Sequence, residues 1–293
     1  MQLALDALRD AWQVLRQNWI VVWFPVLMAI GSGIVLVIVA VALLLGLDPT
    51  IQSRLLAGDF SSLAGLWRQF SLAGMAAFAL VAFHLSGQAN MLAAAIKGEP
   101  VDTGHFAAGV RRYFWTFIGG SALLGLAQIV LAVILWGNVF HQLLTLAIAY
   151  GTTADLITLI QHFSHLLPRV MIGGFLLSTL RFFFGLWNKI APLEECGAVP
   201  AVLASPRVVW RNLSGFLLLA LLSLAVNGVL LETGNDSGLG GLLYGILGVI
   251  WSTYYQLALF AAYWRASGRA QPDAPDYSRR QPPEEPEPPL LLI

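Results

Sequence analysis

The chain of 293 residues is 58% hydrophobic and 11% charged, with a formal net charge of +0 and a mean hydropathy of +0.74. That composition excludes a water-soluble core, and the basic residues are too dispersed to form a phosphate-binding patch, so nucleic acid is not an expected partner. The single cysteine, Cys196, has no mate for an internal disulfide and no Cys/His spacing around it, and it reads as an ordinary loop thiol.

The first element expected is an amphipathic helix. Leu5, Leu8, Trp12, Leu15 and Trp19 recur at helical spacing, with Arg9, Asp10, Gln13 and Arg16 between them. Indoles at an apolar edge and arginines on a wet face suit the headgroup zone, so this helix should lie on the inner membrane surface.

A bilayer core of about 30 Å takes roughly 20 mostly apolar residues per helix. Stretches free of Asp, Glu, Lys and Arg cover 17–47, 69–96, 113–154, 212–231 and 237–264, and a sixth apolar stretch, 169–189, holds Arg181. The spans predicted from them are 20–46, 72–96, 115–136, 169–188, 213–231 and 241–264. The piece 140–150 is short and contains His141 and Gln142, which places it in an outer loop. The resulting fold class is all-α, a polytopic bundle of six transmembrane helices over residues 1–268, with a Pro-rich tail over 269–293.

Loop charges support this count, because cytoplasmic loops collect Lys and Arg. One side holds Arg9 and Arg16, then Lys97, Arg111 and Arg112, then Lys189, Arg207 and Arg211, then Arg265, Arg269, Arg279 and Arg280; the other holds Arg54, Arg68 and Arg169. Both termini are therefore expected in the cytoplasm. The first apolar segment is far longer than the core of a cleavable signal, so it is expected to stay as a span.

The amphipathic device recurs before the third and fifth spans, in GHFAAGVRRYFWTF from Gly104 and VLASPRVVWRNLSGF from Val202. Taking Asn18, Phe114 and Asn212 as equivalent gives intervals of 96 and 98 residues. That spacing predicts three repeated hairpins, each preceded by an interfacial helix.

Three segments, ALRDAWQVLRQNW, GHFAAGVRRYFWTF and PAVLASPRVVWRNLSGFLLLALL, resemble a broad group of poorly characterised six-helix bacterial membrane proteins. That group is akin to the membrane domain attached to some glycerophosphodiester phosphodiesterases. The resemblance covers residues 1–268 by pattern and transfers no catalytic residue. It implies a protein of the bacterial cytoplasmic membrane rather than an esterase.

The returning spans hold the unusual polar groups: His84, Ser86, Gln88 and Asn90 in the second, Ser178 and Arg181 in the fourth, and Ser252, Thr253, Tyr254, Tyr255 and Gln256 in the sixth. Gln88 lies nine residues before Lys97, Arg181 eight before Lys189 and Gln256 nine before Arg265. Equal depth predicts a cluster of Gln88, Arg181 and Gln256, with His84 and Tyr255 nearby. A charge at bilayer depth costs roughly 2.5–3.5 kcal/mol on an insertion scale, so Arg181 needs compensation. Two readings stand: it binds an anion or lipid, or it ties helices together or snorkels to the interface. The predicted spans contain no Asp or Glu, which argues against a carboxylate proton relay.

Between the third and fourth spans, 137–168 is expected to form a lid. Asp155 would cap a surface helix bearing Leu156, Leu159, Ile160 and Phe163. His162 and His165 share its face, with His141 nearby, but a zinc site would need a third ligand and a second shell, so neither metal nor cofactor is expected. GxxxG-type spacings at Gly241/Gly245 and the pairs Gly173/Gly174 and Gly119/Gly120 allow close helix contact. The tail from Gln271, with its EEPEP run, is expected to be disordered and solvated, with recruitment of a protein partner as the alternative. No GxSxG, HExxH, Walker loop or dinucleotide fingerprint occurs, so catalysis is not expected. The function expected is binding or movement of a small or lipid-like anionic ligand at the polar cluster; the rival is a membrane scaffold acting through the surface helices and the tail.

Overall fold

The computed structural model describes residues 1–45, 67–150, 156–233 and 239–268. They form helices α1 (Gln2–Gln17), α2 (Ile20–Leu45), α3 (Trp67–Lys97), α4 (Thr103–Tyr150), α5 (Leu156–Phe184), α6 (Trp187–Leu193), α7 (Ala198–Arg211), α8 (Leu213–Thr233) and α9 (Leu239–Ala266), with no strand among the described residues. Six of them, α2, α3, α4, α5, α8 and α9, are long and apolar enough to cross a membrane. The chain is an all-α multi-pass membrane bundle. The expected tail, Asp155 and the first outer loop with Arg54 lie outside the described residues.

Two elbows join surface helices to spans by one local device. Asn18 ends α1 and Asn212 ends α7, each with non-helical dihedrals (φ −128°, ψ 61° and φ −125°, ψ 32°). Each side-chain amide donates back to the carbonyl four residues earlier, Val14 or Val208, at 3.2 Å. Each asparagine carbonyl then accepts the first free N–H of the next helix, from Val21 or Gly215, at 3.0 Å. The side-chain amide thus caps the end of the first helix, while the same residue's backbone carbonyl accepts from the start of the next. At the third expected equivalent, Phe114, no such side chain exists, and the helix runs straight through.

That continuity corrects three expectations. The segment from Gly104 is the first part of α4 and not a separate surface helix. The stretch 140–150, expected in a loop, continues the same helix, and the expected lid helix from Leu156 is the start of α5 rather than a piece lying flat. With no proline between 103 and 150, nothing breaks the backbone ladder. At 1.5 Å per residue α4 is about 72 Å long, well beyond a bilayer core. The predicted spans 115–136 and 169–188 mark where charge permits burial in lipid, which is shorter than where the backbone remains helical. The side chains of His141, His162 and His165 lie outside the described residues.

The fourth span ends differently too. The helix stops at Phe184, turns at Gly185, and restarts as the seven-residue α6, whose Trp187, Lys189, Ile190, Ala191, Pro192 and Leu193 are all buried. A Cβ at Gly185 would lie 2.6 Å from the Arg181 carbonyl oxygen, so only glycine fits the turn. Ser205 of α7 seals the break: its hydroxyl accepts from the Leu186 N–H at 3.2 Å and donates to the Phe183 carbonyl at 2.7 Å. The short helix packs against α3, α4, α7 and α9, closing the centre of one end of the bundle. Because this end carries most of the Lys and Arg, it is called the basic end below.

Helix α1 does more than rest on a surface. Ala4, Ala7, Ala11, Val14 and Leu15 are buried, and α1 packs mainly along α9, where Ala258, Ala261 and Ala262 are buried. Small residues on both helices allow the backbones to approach closely. Arg265 grips Asp10 through two hydrogen bonds of 2.6 and 2.9 Å and reaches Asp6 at 3.6 Å, while the Tyr254 hydroxyl donates to the Leu8 carbonyl at 3.0 Å. Of the stripe seen in sequence, Leu5, Trp12 and Trp19 are exposed, whereas Leu15 is buried and Leu8 packs against the core.

Between α3 and α4, Gly87 and Gly109 set the spacing. A Cβ at Gly109 would lie 2.5 Å from Asn90 Cβ and 2.7 Å from the Ser86 carbonyl, and one at Gly87 would strike the Phe106 ring. Of the expected glycine contacts, Gly120 packs under Trp187 and Gly173 under Trp136, whereas Gly174 and Gly245 face open space.

Candidate functional site

Arg181 stands on α5 one turn before the Gly185 break, and its side chain is exposed. It makes no hydrogen bond or ion pair among the described residues. It borders a groove of ≈460 Å³ between the antiparallel helices α4 and α5, lined by Gly125, Gln128, Ile129 and Ala132 on one side and Leu177, Ser178 and Arg181 on the other. Ser178 and Arg181 are three residues apart and so share a helix face. Gln128 supplies a polar group from across the groove.

The groove opens sideways. Ile129, which lines it, is 62% exposed, and Leu126, Val133 and Phe175 around it are also exposed. The groove thus opens on the exposed apolar surface of α4 and α5. Gly125 forms part of the floor, and a Cβ there would meet nothing within 4 Å.

The other expected site residues lie elsewhere. His84 packs against Phe106 with ring centroids 6.3 Å apart, and its Nδ1 is buried without a hydrogen-bond partner. Tyr255 stacks on Trp251. Gln88 and Gln256 are half-buried on α3 and α9, two helices that pack against each other, whereas α5 packs chiefly against α4 and α7. None of these four residues lines the Arg181 groove. Equal distance from a closing basic residue gives equal depth at best, and angular position around the bundle decides who meets whom.

Two polar groups were not anticipated. Lys189, expected in a cytoplasmic loop, is 4% exposed on α6 and has neither ion pair nor hydrogen bond among the described residues. Glu195 takes the left-handed position after α6 (φ 53°), where the Cys196 N–H closes back onto the Ala191 carbonyl at 3.0 Å. This is the helix-ending turn that glycine usually makes, as Gly98 does after α3. A glutamate there clasps Arg112 at 2.8 Å and Lys97 at 3.6 Å, tying the end of α6 to α3 and α4. Hydrogen bonding to Arg112 and the two nearby positive charges hold the Glu195 carboxyl below the usual carboxylate range.

No protein-family model, curated protein or solved structure matches the chain, so the groove's chemistry is argued from its own geometry.

Proposed function

We propose that this chain is a multi-pass protein of a bacterial cytoplasmic membrane, with both termini cytoplasmic, that binds an anionic amphiphile in the lateral groove at Arg181. The observation that carries this reading is a guanidinium unpaired among the described residues, at a groove that opens on an exposed apolar surface. An uncompensated arginine in an apolar span is costly, and a phosphate or carboxylate headgroup supplies the missing charge. The planar guanidinium presents paired donors that match such an oxyanion. Ser178 and Gln128 add hydrogen-bonding groups, and Ile129 with Val133 offers an apolar track for a hydrocarbon chain. A lateral opening favours binding from the bilayer over passage of a solute through the bundle.

Native mass spectrometry of the protein released from mild detergent tests this reading. The wild type is expected to retain a stoichiometric anionic adduct that is lost in Arg181→Gln and weakened in Arg181→Lys, which keeps the charge but not the fork. Identical adducts in all three proteins would make Arg181 a snorkelling residue and move the search to protein partners of the tail.

A further inference from the structure

Apart from the buried Lys189, the basic end carries two classes of cation, and the structure separates them. Lys97, Arg112 and Arg265 are engaged by Glu195, Asp6 and Asp10. Glu194 takes the Tyr263 hydroxyl at 2.9 Å, and Glu99 and Asp102 face His105. The carboxylates of this end are therefore occupied among the described residues. Arg9, Arg16, Arg111, Arg207 and Arg211 are exposed and make no ion pair or hydrogen bond among them.

These free arginines are not scattered. Arg9 lies three residues before Trp12 and Arg16 four after it; Arg111 lies four before Trp115; Arg207 lies three before Trp210. Spacings of three and four put arginine and indole on one helix face. The three tryptophans are 56%, 76% and 69% exposed. The opposite face of each helix is buried in protein: Ala4, Ala7 and Ala11 on α1, Phe106, Tyr113 and Phe117 on α4, and Ala201, Val202 and Val209 on α7. The same pairing thus recurs once in each helical hairpin, even though at α4 the elbow is missing.

From this we infer that the rim of the basic end holds three separate clamps for anionic phospholipid headgroups of the adjoining leaflet, each an unpaired arginine beside an exposed tryptophan. The arginine meets the headgroup phosphate, and the indole sits at the boundary of headgroup and chain with its N–H toward water. A soluble phosphate would leave the indole without a function, so the occupant is a lipid. The inference does not depend on the Arg181 groove.

The test uses the full-length protein in nanodiscs made from equal parts phosphatidylglycerol and phosphatidylcholine, with bound lipid read by native mass spectrometry after extraction. The wild type is expected to be enriched in phosphatidylglycerol, and the triple variant Arg9→Gln, Arg111→Gln, Arg207→Gln to lose that enrichment, by about fivefold per arginine. Arg181→Gln, which empties the groove, is expected to lose at most that one adduct and to keep the remaining enrichment. Wild type without enrichment, or enrichment unchanged in the triple variant, overturns the inference. So does enrichment lost in Arg181→Gln alone, because the anionic lipid then belongs to the groove. Should the triple variant not insert, the wild type at rising salt decides: screened rim contacts lose enrichment, and enrichment indifferent to salt contradicts the clamps.

Discussion

The two ends of this bundle are held by different physics. At the basic end, α1, α6 and α7 are wedged among the spans, residues 91–95 of α3 and 257–258 of α9 are buried, and glycine spacings and paired charges fix the contacts. Toward the other end the α4/α5 hairpin presents Leu126, Ile134, Met171 and Phe175 to the outside. Only 6% of the most apolar window of α4 is buried in protein, against 33% for α9. One end therefore resembles a soluble core built from small residues and paired surface charges, with Lys189 buried at its centre, whereas the other leaves its apolar surface exposed. The Arg181 groove lies on the side formed by α4 and α5, among exposed apolar side chains.

The same substitution at two glycines should break the comparison most sharply. Gly109→Leu is expected to cost more than about 3 kcal/mol, because the Ser86 carbonyl behind it is backbone and cannot yield. Gly125→Leu should leave stability nearly unchanged, gaining up to about 1 kcal/mol of helix propensity, while filling the groove. Thermal unfolding in detergent checks both, and equal melting temperatures would mean the basic end is not tightly packed.

Ser205→Ala comes next. It leaves the buried Leu186 N–H and Phe183 carbonyl without their partner, at roughly 1–3 kcal/mol. Unchanged stability would show that the break before α6 is satisfied by other means. Asp10→Ala should cost about 1 kcal/mol, since the Arg265 pair is only partly buried, and it should raise proteolysis of α1 before any global loss.

The smallest effect is a pH dependence. The Glu195 carboxyl is held below its ordinary value of 4.5 by the hydrogen bond from Arg112 and by the charges of Arg112 and Lys97. A depressed carboxylate contributes stability that is present above the unfolded value and lost as pH falls through the folded one. Wild type should thus be the more stable protein at pH 6 and converge on Glu195→Gln as pH drops below about 4. Parallel curves over that range would remove Glu195 from the account.

Much of the bundle was legible because charge marks lipid boundaries. The predicted spans 20–46, 213–231 and 241–264 lie within two residues of α2, α8 and α9 at either end. Charge does not mark helix ends, however, so α4 and the start of α5 were cut short where apolar residues gave way to a few polar ones. The elbows were partly readable: Asn18 and Asn212 carry the amide that turns the chain, and Phe114 does not. Attention to large apolar residues on α1 found the exposed Leu5, Trp12 and Trp19 and missed the Ala4, Ala7 and Ala11 face that packs together with Leu15, since alanine adds little to an amphipathic pattern. At the site, Arg181 was visible as a lone charge. Gln128 was missed because only the returning spans were weighed, although its helix is the one that lies beside α5.

Site-specific photocrosslinking tests the central claim most directly. A photoreactive residue at Ile129, on the wall of the groove, would be activated in native membranes and the adduct identified by mass spectrometry, with and without Arg181→Gln. An anionic lipid adduct that is strong beside Arg181 and falls at least several-fold in the variant is the predicted result. Crosslinks unchanged by the substitution, or formed equally with neutral lipid, would contradict it.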